Sequence, residues 1–128
     1  MPVNAAVARV FSVVLVFVGV LGFVLPPSMA MTSGAPAYNV FHLVFGVIGF
    51  VCAASNKQHL ARAFNVGFGV IDLLQAVASF LHLWPEQHFR WTRVDDVLHV
   101  VIGAALLTIG LFADSASAKL ASPERKAG

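Results

Sequence analysis

Charged residues are what this sequence has least of. Asp, Glu, Lys and Arg make up 11% of the 128 residues, whereas a soluble domain has roughly a quarter of its residues charged. Hydrophobic residues make up 59% of the chain. The low charge argues against a soluble domain, and the length leaves room for one domain.

Cysteine and catalytic motifs are also scarce. Cys52 is the one cysteine, so an internal disulfide is excluded. The sequence shows no glycine-rich phosphate loop, no nucleophile elbow and no Ser-His-Asp order. Most histidines fall in the outer half of the predicted helices, namely His42, His82, His88 and His99. Their spacing fits no standard zinc motif, which favours interfacial histidines over a metal site. We therefore expect a protein that is neither an enzyme nor a metal-binding protein.

Four long apolar runs are present instead. They are Val10–Leu25, Val40–Ser55, Ala63–Trp84 and Val97–Ala113. With a short flank each run reaches about 20 residues, which at ~1.5 Å per residue crosses a hydrocarbon core of ~30 Å. The sequence predicts an all-α fold, a bundle of four transmembrane helices at about 8–25, 38–55, 62–84 and 95–113. These helices form one domain, 1–114, and 115–128 is predicted to be a polar cytoplasmic tail.

Two short segments occur twice along the chain. Asn39–Gly46 is similar to Asp96–Gly103, and Ala8–Val13 is similar to Ala61–Val66. The repetition predicts that the bundle is a tandem repeat of two-helix hairpins. It also argues against a cleaved signal peptide ending near Ala30, because the first apolar run matches the start of the third.

The positive charges are distributed unevenly. Six of the eight Lys and Arg residues lie near the N-terminus, between the second and third runs, and in the C-terminal tail. This pattern predicts a multi-pass membrane protein with both termini cytoplasmic. Tyr38, Trp84 and Trp91 fall at the predicted outer boundary, where aromatic belts form. The lipid bilayer is the expected partner, and a nucleic acid is not.

A histidine followed four residues later by a glycine occurs in both halves. His42 precedes Gly46, and His99 precedes Gly103. The favoured interpretation is that the glycines let helices cross closely. The alternative is a site in which both imidazoles ligate a haem or a chlorophyll-type tetrapyrrole above a floor made by the glycines.

The third predicted helix carries a polar stripe with a carboxylate near mid-membrane. We expect Asp72 to point into the bundle beside Gly19 and Gly22, with Gln75 one turn above it. The predicted polar network comprises Asn39, Asp72, Gln75, Ser79, His82 and Asp96. Either it is one interhelical hydrogen-bond network, or it carries protons or ions between mid-membrane and the outer surface, with Asp72 as the conducting group.

The residues also resemble a known family. Three motifs carry this resemblance: Asn39-x-x-His42 with Gly46, the Phe-Asn-Val start of the third helix, and Asp95-Asp96-x-x-His99 with Gly103. They are similar to those of an uncharacterised bacterial family of small four-helix integral membrane proteins, a domain of unknown function. The resemblance implies a bacterial inner-membrane location and four helices, and no activity. The favoured function is an accessory or structural subunit of a larger membrane complex, with other membrane protein subunits as partners.

Overall fold

A computed structural model describes residues 2–114 of the chain, and the predicted tail at 115–128 lies outside the described residues. The helices are α1 (Val3–Val24), α2 (Pro36–Ala54), α3 (Gln58–Phe80), α4 (Glu86–Phe89) and α5 (Arg93–Phe112), with a single 3-10 turn at Pro27–Met29. Residues 2–114 contain no strand. The predicted all-α bundle is confirmed.

Prolines and a capping box define where these helices begin and end. α1 stops before Pro26 and Pro27, which cannot supply the N–H groups that would continue it. α2 begins at Pro36, a first-turn position where the missing N–H costs nothing. α5 begins after Thr92, whose side chain accepts a hydrogen bond from the backbone N–H of Asp95.

The four long helices are built to cross a membrane. They have 19 to 23 residues each, and mean hydropathies between 1.5 and 2.5 over their most apolar stretches. A helix of this length spans the hydrocarbon core of a bilayer. The protein is therefore a multi-pass membrane protein whose outer apolar side chains face lipid.

The long helices pack mainly as two pairs. α1 lies along α2 and α3 lies along α5, with fewer contacts between the pairs. Glycines allow the close approach within each pair. A Cβ on Gly46 would lie 2.6 Å from Cγ2 of Val16, and a Cβ on Gly69 would lie 2.7 Å from the backbone nitrogen of Leu107. The origin of the two pairs by duplication stays a prediction.

The bundle has two ends, which we call the terminal end and the loop end. The terminal end carries residues 2–4, 54–58 and 111–114, and the loop end carries residues 25–36 and 81–93. Between them lies a core centred on Phe68, whose ring packs 5.4 to 5.8 Å from four other phenylalanine rings, those of Phe11, Phe41, Phe45 and Phe64.

Helix α3 ends earlier than the sequence predicts. Its last residue is Phe80, and His82 follows in the left-handed conformation with φ 54°. The N–H of His82 donates to the carbonyl of Ser79, and that of Leu83 donates to the carbonyl of Ala78. These two bonds form a Schellman motif. The expected place of His82 on the inward polar stripe is therefore wrong, because the chain has already turned and the side chain is exposed.

The aromatic side chains at the loop end do not form the expected belt. Trp84 is 74% exposed, as a belt residue would be, but Tyr38 and Trp91 are buried among loop-end residues. The Trp91 ring stacks on Phe89 at 5.1 Å. Two of the three predicted belt residues thus close the loop end of the bundle instead.

Candidate functional site

The four long helices enclose a cavity of about 180 Å³ on the loop-end side of the Phe68 core. Its polar lining is Thr32, Tyr38, His42, Asp72, Asp95 and His99. Its apolar wall on α1 consists of Phe11, Val14, Leu15 and Val18. The two histidines and the mid-helix carboxyl that the sequence singled out therefore meet around one space.

Asp95 is a lining residue at the loop end of the cavity. One carboxylate oxygen accepts a hydrogen bond of 2.8 Å from the Tyr38 hydroxyl. The other accepts from the backbone N–H of Ser33 at 2.9 Å and of Thr92 at 2.8 Å. The side chain is 1% exposed. It ties the α1–α2 loop, α2 and the first turn of α5 together.

The predicted polar network contains Asp96 and not its neighbour Asp95. Thr92 and Asp95 form a capping box, with Thr92 as the cap and Asp95 as the third helical residue. The pattern Thr-x-x-Asp before an apolar run is a recognised signal for this motif, and it could have found Asp95. Asp96 lies one position further around the helix, half-buried, with an oxygen that has no hydrogen-bond partner within residues 2–114.

His42 is held in one orientation. Its Nδ1 lies 2.7 Å from the carbonyl oxygen of Tyr38, and its ring lies 4.1 Å from the Tyr38 ring. A carbonyl only accepts hydrogen bonds, so Nδ1 carries a hydrogen and donates it. In the neutral imidazole Nε2 is then the nitrogen that accepts a proton.

His99 lies on α5, one turn below Asp95. It is 6% exposed, and its Nδ1 has no hydrogen-bond partner within the described part of the chain. The edge of its ring meets Trp91 at 5.7 Å between ring centres. His99 therefore lines the cavity, and its buried Nδ1 neither accepts nor donates a hydrogen bond within residues 2–114.

Asp72 lies deepest in the cavity. It is 3% exposed, and no hydrogen bond to its carboxyl is formed by any group in residues 2–114. The prediction that Asp72 lies beside Gly19 and Gly22 is wrong. Both glycines face α2, where Cβ atoms on them would meet Leu43 and Asn39. A Cβ on Gly103 would lie 3.0 Å from the Cβ of Asp72, so the close neighbour of Asp72 is on α5.

The expected single polar network is not formed. Among residues 2–114, no side-chain hydrogen bond joins any two of its six predicted members; Ser79 and His82 are joined by a backbone bond at the end of α3. The Asn39 amide donates to the Gly34 carbonyl at 2.9 Å. Gln75 and Ser79 are buried on α3. The side-chain oxygen of Gln75 accepts no hydrogen bond from any group in residues 2–114.

A separate polar cluster holds the terminal end together. The Asn65 amide donates to the side-chain oxygen of Asn4 at 2.9 Å. The carboxylate of Asp114 accepts from the backbone N–H groups of Val3 and Asn4, both at 2.9 Å. Burial acts to raise the pKa of Asp114, but these bonds and others from the side chains of Asn4 and Gln58 outweigh it and hold the pKa below its ordinary value.

The geometry does not provide the glycine floor expected for a tetrapyrrole. Gly46 faces Val16 on α1, and Gly103 faces Asp72 and Leu73 on α3. Neither glycine leaves open space under an imidazole. The cavity of about 180 Å³ is also smaller than the roughly 300 Å³ at which drug-sized ligand sites begin. The interpretation of these glycines as helix-crossing positions fits this packing.

A comparison with protein families gives one match. The family model described as Domain of unknown function (DUF4383) matches residues 5–112. The chain belongs to this family, which confirms the resemblance inferred from the sequence at the level of the family. No curated protein and no solved structure matches the chain.

Proposed function

We propose that this member of a family of unknown function is a non-enzymatic membrane subunit that takes up a proton on Asp72 from the loop end. The observation that carries the proposal is a buried carboxyl that opens on the cavity and receives no hydrogen bond from residues 2–114. A carboxyl inside a membrane is expensive and is usually retained for function.

The lining of the cavity favours a proton over a metal cation. Calcium takes 6–8 oxygen ligands, and magnesium needs near-ideal octahedral coordination. The oxygens of Asp95 are already engaged by Tyr38, Ser33 and Thr92, which leaves Asp72 as the free carboxyl. Residues 2–114 contain no group of three or more His, Cys, Asp and Glu side chains able to hold a metal ion.

The arrangement supports uptake from one side. In this proposal a proton from water at the loop end is accepted by a ring nitrogen of His42 or His99 and then passes to the carboxylate of Asp72. Phe68 lies one turn below Asp72 on α3 and packs against four phenylalanine rings. Phenylalanine side chains neither donate nor accept a proton, so this cluster is expected to stop a proton at Asp72 on its way toward the terminal end.

The proposal includes an orientation in a bacterial inner membrane. Arg9, Lys57 and Arg62 lie toward the terminal end, whereas Arg90 and Arg93 at the loop end are accompanied by acidic residues. The excess of positive charge favours a cytoplasmic terminal end. Protons would then reach Asp72 from the outer side.

The proposal also gives the chain an accessory role beside other membrane protein subunits. The four membrane helices take up most of residues 3–112, so a proton site at Asp72 would serve a process that a partner carries out. Co-purification from gently solubilised membranes tests this part. A lone chain that turns over a substrate would contradict it.

Infrared difference spectroscopy of the protein in lipid vesicles tests the proton site. With the pH varied on one side at a time, we expect a carboxyl band that follows the pH at the loop end. Asp72→Asn removes this band because an amide cannot ionise. Asp96→Asn is the matched control, since Asp96 is also in a membrane helix but does not line the cavity.

Two outcomes would overturn the proposal. One is a band that persists in Asp72→Asn. The other is a band that follows the pH on both sides equally. The orientation is read in the same vesicles by labelling Lys57→Cys and Gln87→Cys in a Cys52→Ala background, because both positions are exposed at opposite ends.

A further inference from the structure

A second polar cavity lies at the terminal end, far from Asp72. Its volume is about 210 Å³, and it lies between the start of α1 and the connection from α2 to α3. Its lining is Pro2, Ala5, Arg9, Ala53, Asn56, Lys57 and Gln58. We call it the terminal cavity. The cavity lies at the level where α2 ends and α3 begins. In a bilayer this level corresponds to the interface between hydrocarbon and water.

The lining of the terminal cavity is positive. Among residues 2–114, this cavity is lined by two cations, Arg9 and Lys57, and by no acidic side chain. The Nε of Arg9 is buried without a hydrogen-bond partner within the described residues. The carboxylate of Asp114 is at the same end of the bundle, where it already accepts bonds from the N–H groups of Val3 and Asn4 and from the side chain of the lining residue Gln58. A guanidinium group with a buried, unused donor needs an acceptor.

The backbone at this place adds donors of the same kind. α3 begins at Gln58, and no side chain caps its first turn. The first N–H groups of a helix lack partners within the helix, and they carry its positive dipole end. The N–H of Leu60 donates to the carbonyl of Lys57, which leaves the N–H groups of Gln58 and His59 at this helix start. Gln58 lines the terminal cavity together with the two cations.

We propose that the terminal cavity binds a phosphate group, carried by an anionic lipid headgroup or by free phosphate. Arg9 donates the charge-assisted hydrogen bonds, Lys57 supplies the second positive charge, and the start of α3 supplies N–H groups. Basic pockets between membrane helices at an interface are suited to lipid phosphates. This site is independent of the proton site at Asp72.

Native mass spectrometry of the detergent-solubilised protein tests the proposal, with phosphatidylglycerol and phosphatidylcholine as probes. We expect the wild-type protein to retain phosphatidylglycerol at least tenfold more tightly than phosphatidylcholine. In the double variant Arg9→Gln, Lys57→Gln this preference falls to about threefold or less. Arg62→Gln is the matched control, since it removes an exposed positive charge at the same end without lining the cavity.

A second arm adds inorganic phosphate alone and measures the midpoint of thermal unfolding. A rise that the double variant abolishes supports free phosphate as the ligand, whereas no rise together with lipid selectivity supports the headgroup. Equal retention of both lipids and no response to phosphate would overturn the proposal. So would an equal loss of binding in Arg62→Gln, because the effect would then be one of overall charge.

Discussion

Each end of the bundle is held by one aspartate, and the two aspartates accept the same kind of hydrogen bond in different surroundings. Asp95 at the loop end accepts from two backbone N–H groups and the Tyr38 hydroxyl, and it is 1% exposed. Asp114 at the terminal end accepts from the N–H groups of Val3 and Asn4, and it is half-buried.

The two aspartates both accept several hydrogen bonds, and they differ mainly in burial. When a buried acceptor is removed, its donors lose their partners and water cannot replace it. When a half-buried acceptor is removed, water reaches the same N–H groups and recovers part of the loss. Asp95 is therefore expected to contribute more to stability than Asp114, although both accept hydrogen bonds from backbone N–H groups.

The largest expected effect is that of Asp95→Ala. We expect it to lower the free energy of unfolding by about 3 kcal/mol, because it leaves the Tyr38 hydroxyl and two backbone N–H groups without an acceptor. Denaturant titration in bicelles measures the change. Asp96→Ala is the control and is expected to cost less than about 1 kcal/mol. Equal losses in the two variants would contradict the role given to Asp95.

A smaller effect is expected for Asp114→Ala. Loss of a helix cap costs about 1 kcal/mol. The pKa of Asp114 is lowered from its model-compound value of 3.8, so its contribution is complete above pH 3.8 and is lost as the pH falls through the lower folded-state pKa.

The test is the difference in unfolding free energy between wild type and Asp114→Ala at several pH values. The difference is expected to be constant near neutral pH and to shrink only in strong acid. A difference that grows on acidification would show that the capping role of the carboxylate is wrong.

The smallest effect is expected for His82→Gly, and its sign is opposite. His82 has φ 54° at the position after α3 where glycine is preferred. We expect glycine there to raise the free energy of unfolding by about 0.5 kcal/mol, since it relieves the left-handed strain while loosening the unfolded chain. His88→Gly, inside the short helix α4, is expected to give no gain. If His82→Gly lowers the free energy of unfolding instead, the prediction is wrong and the His82 side chain makes a stabilising contact.

The helices could be predicted because four runs of apolar residues have the length of a membrane span. Their ends were harder to predict. α1 starts at Val3 and not near residue 8, since its first N–H groups are capped by Asp114 from the far end of the chain. A contact between residues so distant in sequence leaves no local pattern.

The candidate site could be predicted in part. His42, His99 and Asp72 stand out as polar residues in apolar helices, and the structure places all three around one cavity. The expected position of Asp72 beside Gly19 was wrong, because similarity between α1 and α3 says nothing about which helices pair. The predicted polar network contains Asp96 and not Asp95, because Asp96 belongs to the repeated segment, although Thr92 marks Asp95 as the third helical residue of a capping box.

The bond between Asp114 and the start of α1 has a consequence for synthesis on the ribosome. Asn4 and Asp114 are 110 residues apart, so the first turn of α1 receives its cap only after α5 has been translated. α1 enters the bilayer with its leading N–H groups open to water and headgroups. The terminal end of the bundle can therefore close only after the chain has been translated through α5 and Asp114.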